Sequence, residues 1–306
     1  MIHATHYSDP GCPWAYSASP ALRVLEWRYR DQLDWQLVVI GLTEDAQQYV
    51  DRGYTPLRGA LGQLSFRRFG MPFAPAPKPR VSATARACRA IVATRLAHPG
   101  REHDVFRTLQ LTNFTTDLVL EDDDQLREVL ARIPGIDAAA VIGALDSPEV
   151  DEAYQADRAA ARRAAGTSAE RQGKTAQTDG PVRYTAPSVV FRRGETELVA
   201  GGFQPVEAYD VIITNLDPSL ERHEPPQDPA VLLDHFPTGL TTQEVAALLT
   251  HGNDAPDRAA AEAALIELVA DGRATRLALG DDALWLAGTD AVSPAVPAAA
   301  AVSLVG

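Results

Sequence analysis

The 306-residue sequence predicts an α/β domain with a large helical insertion, followed by a small α+β domain. Strand-like runs lie near both ends of the first 216 residues, and mostly helical periodicity fills the part between them. A polar, proline-rich stretch, DPSLERHEPPQDP, then separates this region from a second set of elements. We therefore expect a first domain at 1–216 with its insertion at about 57–177, a linker at 217–228, a second domain at 229–289, and a flexible tail at 290–306.

The first elements form a strand-helix-strand unit. The segment IHATHYSD alternates loosely and ends at the breaker DPG, so it predicts a strand. Apolar residues at helical spacing in PWAYSASPALRVLEWRYRDQ predict a helix that starts near Pro13 and is kinked at Pro20. The segment from Asp34 to Leu42, DWQLVVIGL, is rich in β-branched residues and predicts the second strand.

The long middle segment is mostly helical. Its predicted helices lie in VSATARACRAIVATRLAHPG, GREHDVFRTLQLTNF, EDDDQLREVLARIPG and DAAAVIGALDSPEVDEAYQADRAAARRAAG. The aromatic, arginine and proline residues of LSFRRFGMPFAPAPKPRV predict an ordered loop before these helices.

The first domain closes with two strands and a helix. From Tyr184, YTAPSVVF predicts a strand that contains Pro187, and TELVAGG predicts its hairpin partner. The segment QPVEAYDVIITNL predicts the closing helix.

The second domain is predicted to contain three helices and a hairpin. AVLLDHF, TTQEVAALL and PDRAAAEAALIELVADGR are amphipathic, and ATRLALGDDALWLAG turns at Gly280 and Asp281. This arrangement resembles a winged-helix module. Its would-be recognition helix carries Asp257, Glu262, Glu267 and Asp271 against one arginine, a charge pattern that repels phosphates. We therefore expect this domain to mediate a homodimer or to cap a cleft.

Composition excludes several functional classes. The net charge of −13 argues against nucleic acid and against anionic membranes as partners. Two cysteines, Cys12 and Cys88, exclude a disulfide scaffold and suggest a reducing compartment. Sparse cysteine and histidine also argue against a bound metal. The first residues lack a basic segment followed by an apolar one, so we expect a soluble cytoplasmic protein.

Four motifs, in the expected order over about residues 1–216, carry a resemblance to a known family. They are DPGCPWAY, TARACRAIVATRL, YTAPSVVF and GGFQPVEAYDVII. Together they resemble the DsbA-like branch of the thioredoxin fold. The cytoplasmic group of that branch is the most similar, with FrnE-type oxidoreductases, 2-hydroxychromene-2-carboxylate isomerases and kappa-class glutathione transferases. The resemblance implies a thioredoxin fold with a helical insertion.

The chain departs from this family at one informative position. Dithiol members have a second cysteine where this chain has Ala15. Without it, Cys12 has no partner for a Cys-x-x-Cys disulfide, so dithiol oxidation of client proteins is not expected.

Cys12 is the predicted catalytic residue. If Pro13 begins the helix, the thiol lies at its N-terminus, where backbone N–H groups and the helix dipole lower a cysteine pKa. The alternative is a small buried core residue. The Pro-Gly before Cys12 and the Pro-Trp after it favour an exposed, reactive turn.

Four further residues are predicted to bind the substrate or a small thiol. Pro13 begins the helix, and Trp14 either borders the cleft or only packs against the insertion. The family resemblance implies a cis bond between Ala186 and Pro187, with the Ala186 backbone facing the sulfur and open to a peptide or a glutathione-like tripeptide. A trans proline on an edge strand is the alternative.

The remaining candidates have simpler alternatives. Arg67 and Arg68 could hold a substrate carboxylate or could be solvated surface residues. Cys88 could act as a remote resolving thiol, but its alanine neighbours favour a packing role. His3 and His6 alternate on the first strand and are expected to be structural.

The predicted function is a monothiol thiol-disulfide oxidoreductase that uses Cys12 with a low-molecular-weight thiol such as glutathione or mycothiol. No covalently bound cofactor is expected. One alternative is a glutathione- or mycothiol-dependent isomerase or transferase of the chromene-carboxylate or kappa-class kind. The other is a non-catalytic thioredoxin-fold binding module.

Overall fold

A central mixed β-sheet organises the N-terminal part of the chain in the computed structural model, which describes residues 1–178 and 180–288. The strands, in chain order, are β1 (Ile2–Ser8), β2 (Leu33–Val39), β3 (Thr175–Ala176), β4 (Arg183–Tyr184), β5 (Ser188–Arg193), β6 (Thr196–Ala200), β7 (Leu240–Thr241), β8 (Ala274–Leu279) and β9 (Asp282–Ala287). The central sheet has the order β2-β1-β5-β6. β1 is parallel to β2 and antiparallel to β5, so the end of β1 and the start of β5 lie at the same edge of the sheet.

Helices cover this sheet and build the insertion. They are α1 (Pro13–Ser17), α2 (Ser19–Tyr29), α3 (Ala46–Asp51), α4 (Pro56–Leu64), α5 (Ala85–Ala97), α6 (Glu102–Thr115), α7 (Asp123–Leu130), α8 (Ala138–Gly143), α9 (Pro148–Ala161), α10 (Ser168–Arg171), α11 (Val206–Leu216), α12 (Ala230–His235), α13 (Thr242–Leu248) and α14 (Arg258–Ala270). Within the described ranges, none of them is long and apolar enough to cross a bilayer.

The kink predicted at Pro20 is a break between two helices, two residues earlier, at Ala18. α1 ends at Ser17 and α2 begins at Ser19, with Pro20 in its first turn. Proline is tolerated there because the first-turn N–H groups have no intrahelical acceptor. The features that were not predicted include the helix α3, the short strand β7 and the small β3–β4 sheet. That sheet separates Arg183–Tyr184 from the rest of the predicted YTAPSVVF strand.

Two hydrophobic cores pack against the central sheet. One joins β1, α2, β5 and α11 through residues such as Ile2, Leu25, Phe191 and Tyr209. The other lies within the insertion and packs α5, α6, α7, α8 and α9 against β2. The predicted helical insertion is therefore a compact unit with its own core.

The C-terminal unit contains the three predicted helices α12 to α14 and the predicted hairpin β8–β9. The short strand β7 adds to the hairpin in the order β7-β9-β8. The hairpin turns at Gly280, whose φ of +59° and close approach to the Phe73 backbone both favour glycine. That this unit is a winged-helix domain that dimerises the chain stays a prediction, as do the domain boundaries, and the predicted tail at 290–306 lies outside the described residues.

The C-terminal unit shares a core with the N-terminal part of the chain. Val24 and Trp27 of α2 are buried together with residues of α12, α13 and α14. Tyr16 and Phe73 are likewise buried with Leu279 and Leu284 of the hairpin. The 217–228 segment thus connects two units that are in direct apolar contact.

Candidate functional site around Cys12

The segment between β1 and α1 is a tight turn that carries Cys12. The Cys12 N–H donates to the Asp9 carbonyl at 3.1 Å, and the Gly11 N–H donates to the Asp9 side chain at 2.8 Å. Proline and glycine occupy the two central positions of this turn, as turn geometry favours. A Cβ on Gly11 would lie 2.5 Å from Thr84 Cγ2, so a side chain there would clash with the start of the insertion.

The Asp9 side chain stabilises this turn through hydrogen bonds. Its carboxylate is fully buried, and Oδ2 accepts from the Leu42 N–H at 2.9 Å and from Thr84 Oγ1 at 3.0 Å. The Cys88 Sγ donates to the same oxygen at 3.6 Å. One carboxylate therefore joins the ends of β1 and β2 to the first insertion helix and positions the turn that bears Cys12.

Cys12 lies at the N-cap of α1, with Pro13 as the first helical residue. Its thiol is 7% exposed and packs among Ala15, Ile40, Ala161 and Ala186. The position at the helix N-terminus agrees with the sequence prediction. The predicted exposure does not, because apolar residues from the second strand and the insertion enclose the sulfur.

Burial also reverses the expected direction of the Cys12 pKa. Loss of solvent raises the pKa to about 11, and the negative charge of Asp9 adds to this effect. The backbone N–H groups of Ala15 and Trp14 lower the pKa, but by less than burial raises it. Cys12 is therefore a neutral thiol near pH 7 in the substrate-free protein.

We expect iodoacetamide to alkylate Cys12 slowly near neutral pH. A pKa of about 11 gives a thiolate population roughly 300-fold smaller than that of a free cysteine with a pKa of about 8.5. The rate should rise about tenfold per pH unit from pH 7 to pH 10, without a plateau. Mass spectrometry of the Cys12 peptide measures this rate.

Cys12→Ser is the control, since it leaves only Cys88, which is fully buried. A plateau below pH 8 would contradict the conclusion that burial outweighs the N–H groups of the helix.

The Ala186 backbone lies against the Cys12 sulfur. The Ala186–Pro187 peptide bond is cis, and the Cys12 Sγ donates to the Ala186 carbonyl at 3.3 Å. Ala186 and Pro187 are buried just before β5. The nearby Ser188 Oγ donates to the Thr185 carbonyl at 2.7 Å, which holds the backbone beside the cis bond.

Trp14 is the exposed member of an aromatic cluster next to Cys12. Its ring lies 5.0 Å from Phe66, 5.6 Å from Phe69 and 5.7 Å from Phe203, and the side chain is 41% exposed. The predicted loop that carries Phe66 and Phe69 is ordered here. Both alternatives for Trp14 therefore describe it in part: it packs against the insertion and also borders open space.

A cavity of about 500 Å³ lies beside the turn. Pro10, Gly11, Pro13 and Trp14 line it, whereas Cys12 itself does not. Its outer wall comes from α3, α4 and the loop between them. Its polar and aromatic lining residues include Tyr49, Tyr54, Arg58 and Asn113.

The sequence did not point to these wall residues. Arg58 is exposed on α4 and donates to the Gly53 carbonyl at 3.0 Å, so its guanidinium lies near the cavity mouth. Arg67 and Arg68, for which the sequence left open carboxylate binding or a solvated surface role, do not line the cavity. Arg67 pairs with Asp281 at 2.8 Å, and the Arg68 guanidinium lies 4.8 Å from the centre of the Phe69 ring.

The other candidates lie away from the sulfur. His3 pairs with Asp34 at the surface, and His6 is buried beside Phe106. Cys12 and Cys88 are both free, and Cys88 lies in the insertion core, where burial raises its pKa well above the ordinary value. Cys88 is therefore an internal partner of Asp9. Within residues 1–178 and 180–288, no group of three or more His, Cys, Asp or Glu side chains could hold a metal ion.

Comparison with known proteins identifies the fold around this site. The sequence model of a family described as "DSBA-like thioredoxin domain" matches residues 5–167. The search of curated proteins gave no match.

Three solved structures are similar over about 70% of the chain. A putative protein disulfide isomerase from Nitrosomonas europaea has a TM-score of 0.54 at 17% identity, covering 70% of this chain and 97% of its own. A probable DsbA oxidoreductase from Streptomyces coelicolor has a TM-score of 0.54 at 18% identity, covering 72% and 91%. The cytosolic disulfide reductase DsbM from Pseudomonas aeruginosa has a TM-score of 0.50 at 18% identity, covering 71% and 100%. The predicted thioredoxin fold with a helical insertion is thereby confirmed.

Proposed function

The chain belongs to the DsbA-like thioredoxin domain family, and from that premise we propose that it is a monothiol thiol-disulfide oxidoreductase. Cys12 exchanges with a low-molecular-weight thiol, either glutathione or mycothiol. The observation that carries the proposal is the contact between the Cys12 Sγ and the Ala186 carbonyl, at 3.3 Å, with Ala15 where a second thiol would be needed. Cys88 is fully buried against Asp9 and offers no alternative partner.

The reaction takes place in two exchanges. The Cys12 sulfur attacks one sulfur of a mixed disulfide between a client thiol and glutathione, and the old S–S bond breaks as the new one forms. The client leaves as a thiol and takes a proton, and glutathione stays on Cys12. A second glutathione then attacks the glutathionyl sulfur and releases glutathione disulfide, which restores the Cys12 thiol. The two steps sum to the exchange of one disulfide for another: the entering glutathione is oxidised as the client thiol is reduced, and the proton of its thiol returns to Cys12.

Each site residue has a part in this sequence. The Ala186 backbone and Pro187 orient the incoming backbone beside the sulfur, and Pro13 starts the helix whose N–H groups stabilise the thiolate. Trp14 borders the cavity that receives the remainder of the small thiol. Because burial raises the Cys12 pKa to about 11, exchange should accelerate as the pH rises. A reducing cytoplasm, the predicted location, supplies the small thiol.

We expect glutathione disulfide to add one glutathionyl group to the protein. Intact-mass spectrometry of the full chain measures the adduct, and proteolytic mapping assigns it to Cys12. Cys12→Ser should abolish the adduct. The matched variant Cys88→Ser should retain it, because Cys88 lies inside the insertion core.

An adduct that survives in Cys12→Ser, or the absence of any adduct in the wild-type chain at pH 9, would contradict the proposal. If glutathione binds equally well to Cys12→Ser without a mixed disulfide, the binding-module function becomes the better account.

The cavity of about 500 Å³ supports a second candidate function, a thiol-dependent isomerase or transferase. Its wall combines the aromatic rings of Trp14, Tyr49 and Tyr54 with the Arg58 guanidinium and the Asn113 amide. Such a wall suits an aromatic carboxylate, since guanidinium binds carboxylate in a two-pronged geometry. In that reaction the small thiol is regenerated without net oxidation, so glutathione disulfide would not accumulate.

A further inference from the structure

A second cavity, of about 400 Å³, lies on another part of the molecule. It is lined by His6 of β1, Arg23 of α2, Arg107 and Gln110 of α6, and Thr238 before β7. It therefore lies where the central sheet, the insertion and the C-terminal unit meet. It shares no lining residue with the cavity beside Trp14.

The walls of this cavity contain several N–H donors without an acceptor among the described residues. They are Arg23 Nε, Trp35 Nε1, Arg107 Nε and Gln110 Nε2. Arg107 and Gln110 are each only 6% exposed. A buried donor without a partner costs about 1–3 kcal/mol, so such a concentration in one place indicates a site for a molecule with acceptor oxygens.

Glu102 is an acceptor in the same cavity wall. Glu102 is 9% exposed, and its Oε2 has no hydrogen-bond donor among the residues that the structure describes. The Nε2 atoms of His6 and His103 are likewise unpaired. Burial lowers the pKa of His6 to about 3, and the neighbouring His103 and Arg23 contribute to this shift. His6 is therefore a neutral ring that can either donate or accept.

The charges around the cavity nearly cancel. Arg23 pairs with Glu26 at 2.7 Å, and Arg107 pairs with Glu244 at 2.7 Å. At the rim, Arg101 pairs with Asp104 at 2.7 Å. Glu102 is left as the additional carboxylate, while several donors remain unused. An anion without a positive group would be repelled by the Glu102 carboxylate. A cation without acceptor oxygens would leave the N–H donors of the cavity wall unpaired.

We propose that this cavity binds a small zwitterion, a free α-amino acid, with its carboxylate among the Arg23, Trp35 and Gln110 N–H groups and its ammonium at Glu102. The volume is within the range of small-molecule sites and leaves room for a side chain beside Leu22 and Phe106. The binding is independent of thiol chemistry at Cys12.

Isothermal titration calorimetry of the full chain tests this site. The probes are the standard α-amino acids, with acetate and methylammonium as the two halves of the zwitterion. We expect at least one amino acid to bind and to raise the midpoint temperature of thermal unfolding. Acetate alone and methylammonium alone should do neither. Cys12→Ser should bind it equally well, which separates this site from the proposed oxidoreductase activity.

Variants of the wall assign the binding to this cavity. Glu102→Gln removes the carboxylate, and Gln110→Met removes the amide donor at similar size. Each should weaken binding at least tenfold, which is the effect of losing one hydrogen bond to a charged group. Gln155→Met is the matched control, since Gln155 is exposed on α9, and it should leave binding unchanged.

Trp35→Phe provides a second test if Gln110→Met does not fold, because Trp35 is only half-buried. Binding of no amino acid would overturn the proposal and would leave a water-filled polar cavity. Binding of acetate as tightly as the amino acid, or binding unaffected by the foldable wall variants, would also overturn it.

Discussion

Ala15→Cys should create an intrachain disulfide with Cys12 and should raise the rate of protein-disulfide reduction by dithiothreitol at least tenfold. The Tyr16 N–H donates to the Cys12 carbonyl at 3.0 Å, so residues 12 and 15 occupy the first helical turn. Helix geometry places Cα atoms three residues apart about 5 Å from each other, within the range of about 4.4–6.8 Å that disulfides join. A second thiol would resolve the mixed disulfide within the chain, whereas the wild-type chain depends on a second small thiol.

The interior beside Ala15 can accept the larger side chain. Ala15 is 2% exposed, packs beside Cys12 and also lines the 400 Å³ cavity, so free volume adjoins the position of the added side chain. Thiol titration of the oxidised variant measures the disulfide, and the turbidity of reduced insulin measures the activity. Ala15→Ser is the control and should behave as the wild-type chain does. Titrated in denaturant, the oxidised variant should have one free thiol, that of Cys88, and three free thiols would show that Cys12 and position 15 do not have the geometry described.

Local chemistry made much of the fold predictable. The Asp9-Pro10-Gly11 turn, the start of α1 at Pro13, and the hairpin at Gly280 all follow from residues whose backbone preferences act within a few positions. The break near Pro20 was predicted for the same reason, although it occurs at Ala18. The strand around Pro187 was predicted too long, because pairing of Thr175 and Ala176 with the two residues of β4 depends on a distant segment.

The candidate site was predictable in position and less so in environment. The Cys12 sulfur contacts the Ala186 carbonyl, and Trp14 follows Cys12 in the first turn of α1. The burial of Cys12 by Ile40 and Ala161 depends on contacts from the residue that follows β2 and from α9, which no local pattern reveals. For the same reason the helix N-terminus was predicted to lower the thiol pKa, whereas desolvation by these distant residues raises it.

The positions of Arg58 and Arg67 also depend on contacts that the local sequence does not reveal. Both are arginines in the segment between β2 and α5, and their sequence surroundings do not distinguish them. Arg67 is held by Asp281, a residue of the C-terminal hairpin, and Arg58 remains at the cavity. Which arginine can meet a substrate is therefore decided by a contact more than two hundred residues away in the chain.

Glu244→Ala should lower the free energy of unfolding by about 3–5 kcal/mol. Glu244 is fully buried, and its carboxylate accepts from Arg107 at 2.7 and 2.8 Å, from Ser19 and from the Thr241 N–H at 2.8 Å. It also completes the capping box of α13 with Thr241. Its removal leaves the buried Arg107 guanidinium without a counter-charge at the point where α2, α6 and α13 meet.

Urea denaturation measures the loss, and Glu128→Ala is the matched control. Glu128 pairs with Arg132 on the surface at 2.7 Å, and the loss of such a pair changes stability by about 0.5 kcal/mol or less. Equal effects of the two substitutions would contradict the conclusion that Glu244 joins α2, α6 and α13.

Because the N-terminal part of the chain and the C-terminal unit share buried contacts, wild-type unfolding in urea should also be a single transition.

The pH dependence of stability gives an independent measure of the same contact. Burial alone would raise the Glu244 pKa, but the charge and hydrogen bonds of Arg107 outweigh it and lower the pKa from 4.5 to about 2. A carboxylate with a lowered pKa in the folded state stabilises fully above its unfolded value and loses that contribution as the pH falls. Wild type should therefore lose about 3 kcal/mol from this group between pH 4.5 and pH 2. Glu244→Ala lacks this carboxylate, so its free energy of unfolding should fall less steeply over the same pH interval. Parallel plots of unfolding free energy against pH for the two proteins would show that Arg107 does not stabilise the ionised carboxylate.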